Sequence, residues 1–132
     1  MWRKMVLGVA ALTVASPSHA EWLEITTSSN GGVYFMDPDR IQKAGSRIKA
    51  WFKVDHSRNA SVKYRKEMLL FSMNCEARTS KLISFSEYDS YDKVLRSRTF
   101  PEYGFSDVGF EPVTPETVGE TMLEAACIFK DQ

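Results

Sequence analysis

Two cysteines, Cys75 and Cys127, are the only ones in the chain and stand 52 positions apart. A bond between them would tie the middle of the chain to its end, so their state limits the folds available more than any other feature. An even pair reads as a disulfide in an oxidising compartment and as free thiols in a reducing one. The amino terminus supplies the compartment. Met1-Trp2-Arg3-Lys4 is a short positive segment, Met5 to Ala15 is an uncharged apolar run, and Ser16-Pro17 breaks the helix. Ser18-His19-Ala20 then places small residues where a signal peptidase cuts. A helix of that apolar length rises only about 16 Å, roughly half a hydrocarbon core, which is too short for a membrane span.

Residues 1–20 are therefore read as a secretory signal peptide, with the mature chain starting at Glu21. No Cys follows the cut, so no lipid anchor is expected. The protein is expected to be exported, periplasmic or secreted, and at most peripheral to a membrane. In such a compartment Cys75 and Cys127 read as a disulfide. Closing a loop of that size contributes about 4 kcal/mol in the chain-entropy model, comparable with the whole stability of a small domain. Two buried free thiols, or half of a metal site, are the competing readings. No Cys-x-x-Cys and no nearby histidine supports the metal reading.

Cleavage leaves 132 − 20 = 112 residues, enough for one domain over 21–132. It also removes two cations from a chain balanced at 17 basic and 17 acidic residues, leaving a net charge near −2. Such a chain has no bulk electrostatic drive toward nucleic acid.

Trp22 to Thr26 is a short strand pattern, and Val33 to Met36 returns after the turn Ser28-Ser29-Asn30-Gly31-Gly32, a hairpin signal. Asp37-Pro38-Asp39-Arg40-Ile41 predicts one helical turn with Asp37 as cap. Arg47 to Asp55 is the clearest strand. Ile48, Ala50, Phe52 and Val54 fall on one face, and Arg47, Lys49, Trp51, Lys53 and Asp55 on the other. His56 to Lys63 reads as a polar loop. Tyr64 to Cys75 predicts a long strand with Leu69, Phe71, Met73 and Cys75 on one face. Lys81 to Asp89 and Lys93 to Phe100 predict a hairpin around Ser90-Tyr91-Asp92. Pro101 to Pro115 reads as a surface segment with a short edge strand near Val108-Gly109-Phe110.

Thr114 to about Ile128 predicts the one helix, with Thr114 as cap and Pro115 at its first position. Val118, Gly119, Met122, Leu123, Ala126 and Cys127 share one half of the cylinder. Gly119, in the middle of that half, predicts a close approach of helix to sheet. The expected architecture is α+β in two layers: an antiparallel sheet of about five to six strands with a C-terminal helix on the face of Phe52, Phe71 and Met73. The helix then brings Cys127 to Cys75.

The order of landmarks is also familiar. Trp22 is followed by Tyr34 with Asp37 and the Ile41 turn, and Trp51 lies in a strand. Asn74-Cys75 closes the next strand, Tyr88-Asp89 precedes a hairpin turn, and Pro115 opens a helix ending at Cys127. This resembles the surface-adhesin protein E family of Gram-negative bacteria, small exported domains with a sheet, a helix and a Cys pair, over roughly residues 21 to 129. The chain departs from the family pattern at Tyr91-Asp92-Lys93, where Gly is common. It departs again at Phe110, where Trp is frequent, and at Pro115-Glu116, where Pro-Gly is frequent. The resemblance implies a binding role, because the best-known members bind host matrix and plasma proteins.

Catalytic chemistry finds no foothold. His56 is the single histidine of the mature chain, and its neighbours Asp55 and Ser57 point to opposite faces of an extended strand, so the three form no triad. It is expected to be an exposed loop residue. Asp37-Pro38-Asp39 lacks the Gly and Glu of a calcium loop and reads as a cap. No metal, no cofactor and no enzyme activity is expected.

Binding is the better prospect. Trp51 shares its strand face with Arg47, Lys49 and Lys53, an aromatic among cations that can stack on a sugar or anchor a protein. The competing reading is that lysine stems, or the N-terminal segment with Trp22, cover it. Arg58, Lys63, Arg65 and Lys66 form a second basic stretch, suited to an acidic polysaccharide or acidic protein patch. Edge strands offer a third route, by pairing with a partner or a second copy. The expected function is an exported, non-enzymatic binding protein of the cell envelope or extracellular matrix. The alternative is a periplasmic assembly factor or an inhibitor of a secreted hydrolase.

Overall fold

Period-two alternation becomes the centre of an antiparallel sheet. The structure, a computed structural model, describes residues 21–104 and 106–129; the signal segment expected at 1–20 lies outside the described residues. In chain order come β1 (Leu23–Thr27), β2 (Val33–Met36), a 3-10 turn (Pro38–Arg40) and β3 (Gln42–Ala44). Then follow β4 (Arg47–Asp55), β5 (Lys66–Asn74), β6 (Thr79–Tyr88), β7 (Val94–Thr99), β8 (Glu111–Pro112) and helix α1 (Val118–Ile128). The sheet runs β1-β2-β4-β5-β6-β7, with β3 paired to β4 and β8 to β6. The expected five to six strands are that main path, and two short strands join it, making eight.

On β4, Ile48, Ala50, Phe52 and Val54 are at most 1 % exposed, while the residues between them are half-buried. Across the ladder Ile48 faces Met73, Ala50 faces Phe71 and Phe52 faces Leu69, which puts all six on one face. Met36 of β2 and Met122, Leu123 and Ala126 of α1 complete the core there. The disulfide Cys75–Cys127 forms with Cα atoms 5.9 Å apart, within the usual span of such a bridge. It holds the end of α1 beside the end of β5. Beside the middle of β4, Asp37 caps the 3-10 turn as expected, accepting from the Asp39 amide at 3.0 Å.

Three local expectations are corrected. The helix starts at Val118 with Thr117, not Thr114, as its cap; Thr117 Oγ1 accepts from Glu120 N at 3.3 Å. Glu116 takes a positive φ of 62°, which breaks any helix begun at Pro115, and Thr117-x-x-Glu120 is the stronger start signal. Gly119 makes no close approach to the sheet. It is exposed, and a side chain there would first meet Thr117 Oγ1 at 3.6 Å and Val113 Cγ1 at 3.9 Å. The edge strand β8 forms at Glu111–Pro112 rather than near Val108 to Phe110.

His56 is the fourth correction and the largest. It is 5 % exposed rather than a solvated loop residue. It follows Val54 on the helix-side face, beyond the end of the helix packing, inside a buried polar cluster. Asn59 Nδ2 donates to its Nδ1 at 3.0 Å, and its Nε2 lies 2.9 Å from Glu67 Oε1. Tyr64 meets the ring edge-on at 5.1 Å. Glu67 stands directly opposite Glu87 across the ladder, and Arg96 forks onto Glu87 at 2.9 and 3.1 Å. Each carboxylate thus has its own partner, which offsets the repulsion of like charges placed face to face. The phenols of Tyr34 and Tyr64 are pushed up, chiefly by burial and next by the Glu67 charge.

Candidate contact surface

The odd-numbered side chains of β4 leave the sheet on the face without the helix. Arg47, Lys49, Trp51 and Lys53 therefore stand in one row, successive members roughly 7 Å apart. The structure puts the two ends of that row to different use.

At the first end a strap formed by residues 100–104 and 106–113 crosses the face and returns to β6. Phe100 N donates to Ile83 O at 2.8 Å where it leaves, and Val113 N donates to Arg78 O at 3.0 Å where it returns. Between these points the cations hold it down. Arg47 pairs with Asp107, stacks over the Phe110 ring at 5.2 Å and donates to Gly104 O at 3.4 Å. Lys49 Nζ lies 2.5 Å from Glu102 Oε1, and Lys81 Nζ lies 2.6 Å from Pro101 O. Arg47 and Lys49, expected to meet a partner, are thus engaged within the chain.

At the other end the face stays open. Trp51, half-buried, sits beside Leu70 of β5. Lys53 lies between Met68 of β5 and Phe35 of β2, its Nζ 4.7 Å from the Phe35 ring and 5.2 Å from the Trp22 ring. Trp22, which the competing reading offered as one cover for Trp51, is placed against Lys53. Burial among these groups holds the Lys53 ammonium below the usual lysine range; Lys66 lowers it further and Asp55 opposes. An amphipathic strip results: two tryptophans, a phenylalanine and two aliphatic stems around one cation. Its neighbour across β6 and β7 is a hydroxyl zone, where Ser86 and Ser97 hydrogen-bond at 2.9 Å and Thr99 donates to Ser84 at 3.4 Å.

The second basic stretch splits up. Arg58 and Lys63 are exposed on the loop, whereas Arg65 turns inward to the carbonyls of Asn59 and Val62. Lys66 reaches Asp92 Oδ1 at 2.7 Å and lies over Tyr88 at 4.7 Å. Of this stretch Lys66 shares the open face with Lys53, and the loop cations flank it. The strap anchors are what residue reading missed: Arg47–Asp107 and Lys49–Glu102 join residues more than fifty positions apart, and local periodicity carries no trace of such pairs.

The His56–Glu67 pair resembles half of a proton relay, but among the described residues no hydroxyl is hydrogen-bonded to it, and the Ser61 hydroxyl of the same loop is bound to Asn59 Oδ1. The cluster closes the loop 56–65 onto the sheet. Among the described residues no group of three or more His, Cys, Asp or Glu could hold a metal ion, and no helix is long and apolar enough to cross a membrane.

The profile of the surface-adhesin protein E family matches residues 22–128. Two solved structures of Haemophilus influenzae protein E are similar in fold. Crystal form II aligns with a TM-score of 0.58 at 12 % identity, covering 88 % of this chain and 94 % of that one. A second structure aligns with a TM-score of 0.55 at 11 % identity, covering 88 % and 91 %. Among curated protein sequences none matches this chain.

Proposed function

Because this chain belongs to the surface-adhesin protein E family, we propose that it is an exported, non-enzymatic binding protein whose contact surface is the open end of the helix-free sheet face. Family membership and fold make it an adhesin-like surface protein. The placement of the contact rests on one observation: the Trp51–Lys53 end of β4 is left open while the Arg47–Lys49 end is strapped. Trp51 supplies the rigid aromatic area that contact hot spots favour, and Lys53 and Lys66 supply cations beside it. Arg58 and Lys63 would extend the contact toward an acidic partner. Arg47 and Lys49 would act on the partner only through the strap they hold. The partner is a matrix or envelope protein, or an acidic polysaccharide. The edge strand β7, exposed along its whole length, is where a second copy would pair.

The test is capture of the mature protein by surfaces coated with extracellular matrix or with heparin. The double variant Trp51→Ala/Lys53→Ala should lose capture at least tenfold while melting within a few degrees of the parent. Unchanged capture by that variant would rule the face out. A one-to-one complex with a single secreted hydrolase, and no retention on either surface, would favour the inhibitor reading instead.

A further inference from the structure

The strap does more than cover the sheet. It encloses a cavity of about 380 Å³ against the β3–β4 end of the helix-free face, within the size range of small-ligand sites. Its apolar wall comes from Ile83, Val108 and Phe110. Ile83 is 3 % exposed and sits in an irregularity of β6, where Leu70 pairs with Ser84 but the next residue, Phe71, pairs with Leu82. Such bulges re-aim side chains and occur often beside binding sites.

The polar wall is cationic. Lys49, Ser72 and Lys81 are direct cross-strand partners, so one row on one face reads ammonium, hydroxyl, ammonium. Lys43 and Arg47 line the same space. Among the described lining residues Glu102 is the one carboxylate, against four cations. The Lys49 and Lys81 ammoniums bind the strap through Glu102 and the Pro101 carbonyl, and each ammonium keeps further N–H donors that an entering anionic head can share.

We propose that this cavity binds a small amphiphilic anion: a carboxylate or sulfonate head at the Lys49–Ser72–Lys81 row, with an apolar body lying against Ile83, Val108 and Phe110. Charge complementarity selects the head. The apolar wall selects a body, since a bare inorganic anion would leave it unfilled. The site does not depend on the Trp51 contact surface, so either can fail without the other.

The experiment titrates the mature protein with 8-anilinonaphthalene-1-sulfonate, followed by fluorescence, and then displaces the dye. Dodecanoate should displace it at least tenfold more effectively than dodecanol, which shares the body, or inorganic sulfate, which lacks one. Lys49→Gln/Lys81→Gln should weaken the dye at least tenfold. Ala44→Trp, which fills the cavity mouth and leaves every cation in place, should do the same even if the double variant loosens the strap. Trp51→Ala should leave the affinity unchanged. Equal displacement by dodecanol and dodecanoate, full binding by Ala44→Trp, or loss of binding in Trp51→Ala would each overturn the proposal.

Discussion

Arg47 and Lys49 at one end of β4, and Trp51 and Lys53 at the other, alternate on the same strand and the same face. Their residue types suggest one continuous stripe. The fold divides it. The first pair meets acids carried by a strap that arrives from the far side of the sheet, and its charges are used to close the surface. In the second pair Lys53 meets aromatic rings of β2 and the N-terminal segment, and Trp51 sits beside Leu70, with no strap residue anchored to either. An aromatic beside a cation in a strand is thus a half-specified site, and what the rest of the chain lays over it decides its role. The opposite face shows the third possibility, sealed by helix, core and disulfide.

The sharpest way to break this division uses neighbours on opposite faces. Phe52→Ala, which empties a site with no exposure, should lower stability by about 3–5 kcal/mol. Trp51→Ala should lower it by about 1 kcal/mol or less, with binding lost instead. Urea unfolding of both variants measures the contrast, and equal losses would place Trp51 in the core. Next in size is the strap. Arg47→Ala/Lys49→Ala removes one pair whose Arg47 is largely covered and stacked on Phe110 and one pair that is more than a third exposed, so stability should fall by about 1–2 kcal/mol. Amide exchange in residues 101–110 should accelerate while matrix capture is unchanged. On the helix side, Gly119→Ala should stabilise the protein by about 0.5 kcal/mol, because the site is open and a helix prefers Ala. A loss would restore the close approach.

The smallest effect is at Asp55, at the open end of β4. The Ser57 backbone amide donates to its carboxylate at 2.8 Å and holds its pKa below the usual range. A depressed folded pKa contributes stability that is present above the unfolded carboxylate pKa and is lost as pH falls through the folded one. The stability gap between the parent and Asp55→Asn should therefore be full at neutral pH and close in acid.

How much of this was legible depended on whether a signal was local. The β4 alternation, the helical turn capped by Asp37, the Cys75–Cys127 bond and the apolar half of the helix each follow from near neighbours or from the compartment. The strand β3 was not legible, because Gln42, Lys43 and Ala44 are all exposed and form a strand only by pairing with Arg47 to Lys49. The burial of His56 was hidden as well. Its immediate neighbours are polar, and its partner Glu67 arrives from the next strand. The alternation assigns the odd-numbered side chains of β4 to the face they occupy, yet the strap that divides the row depends on pairs between distant segments.

The direct test is where Trp51 points. Trp22 and Trp51 are the tryptophans beyond the signal segment, so 5-fluorotryptophan in a Trp22→Phe variant reports on Trp51 alone by fluorine NMR. A soluble gadolinium chelate should broaden that resonance strongly, and adding a captured ligand should shift it and shield it from the chelate. A resonance untouched by the chelate would put Trp51 beneath the helix and contradict the assignment of faces.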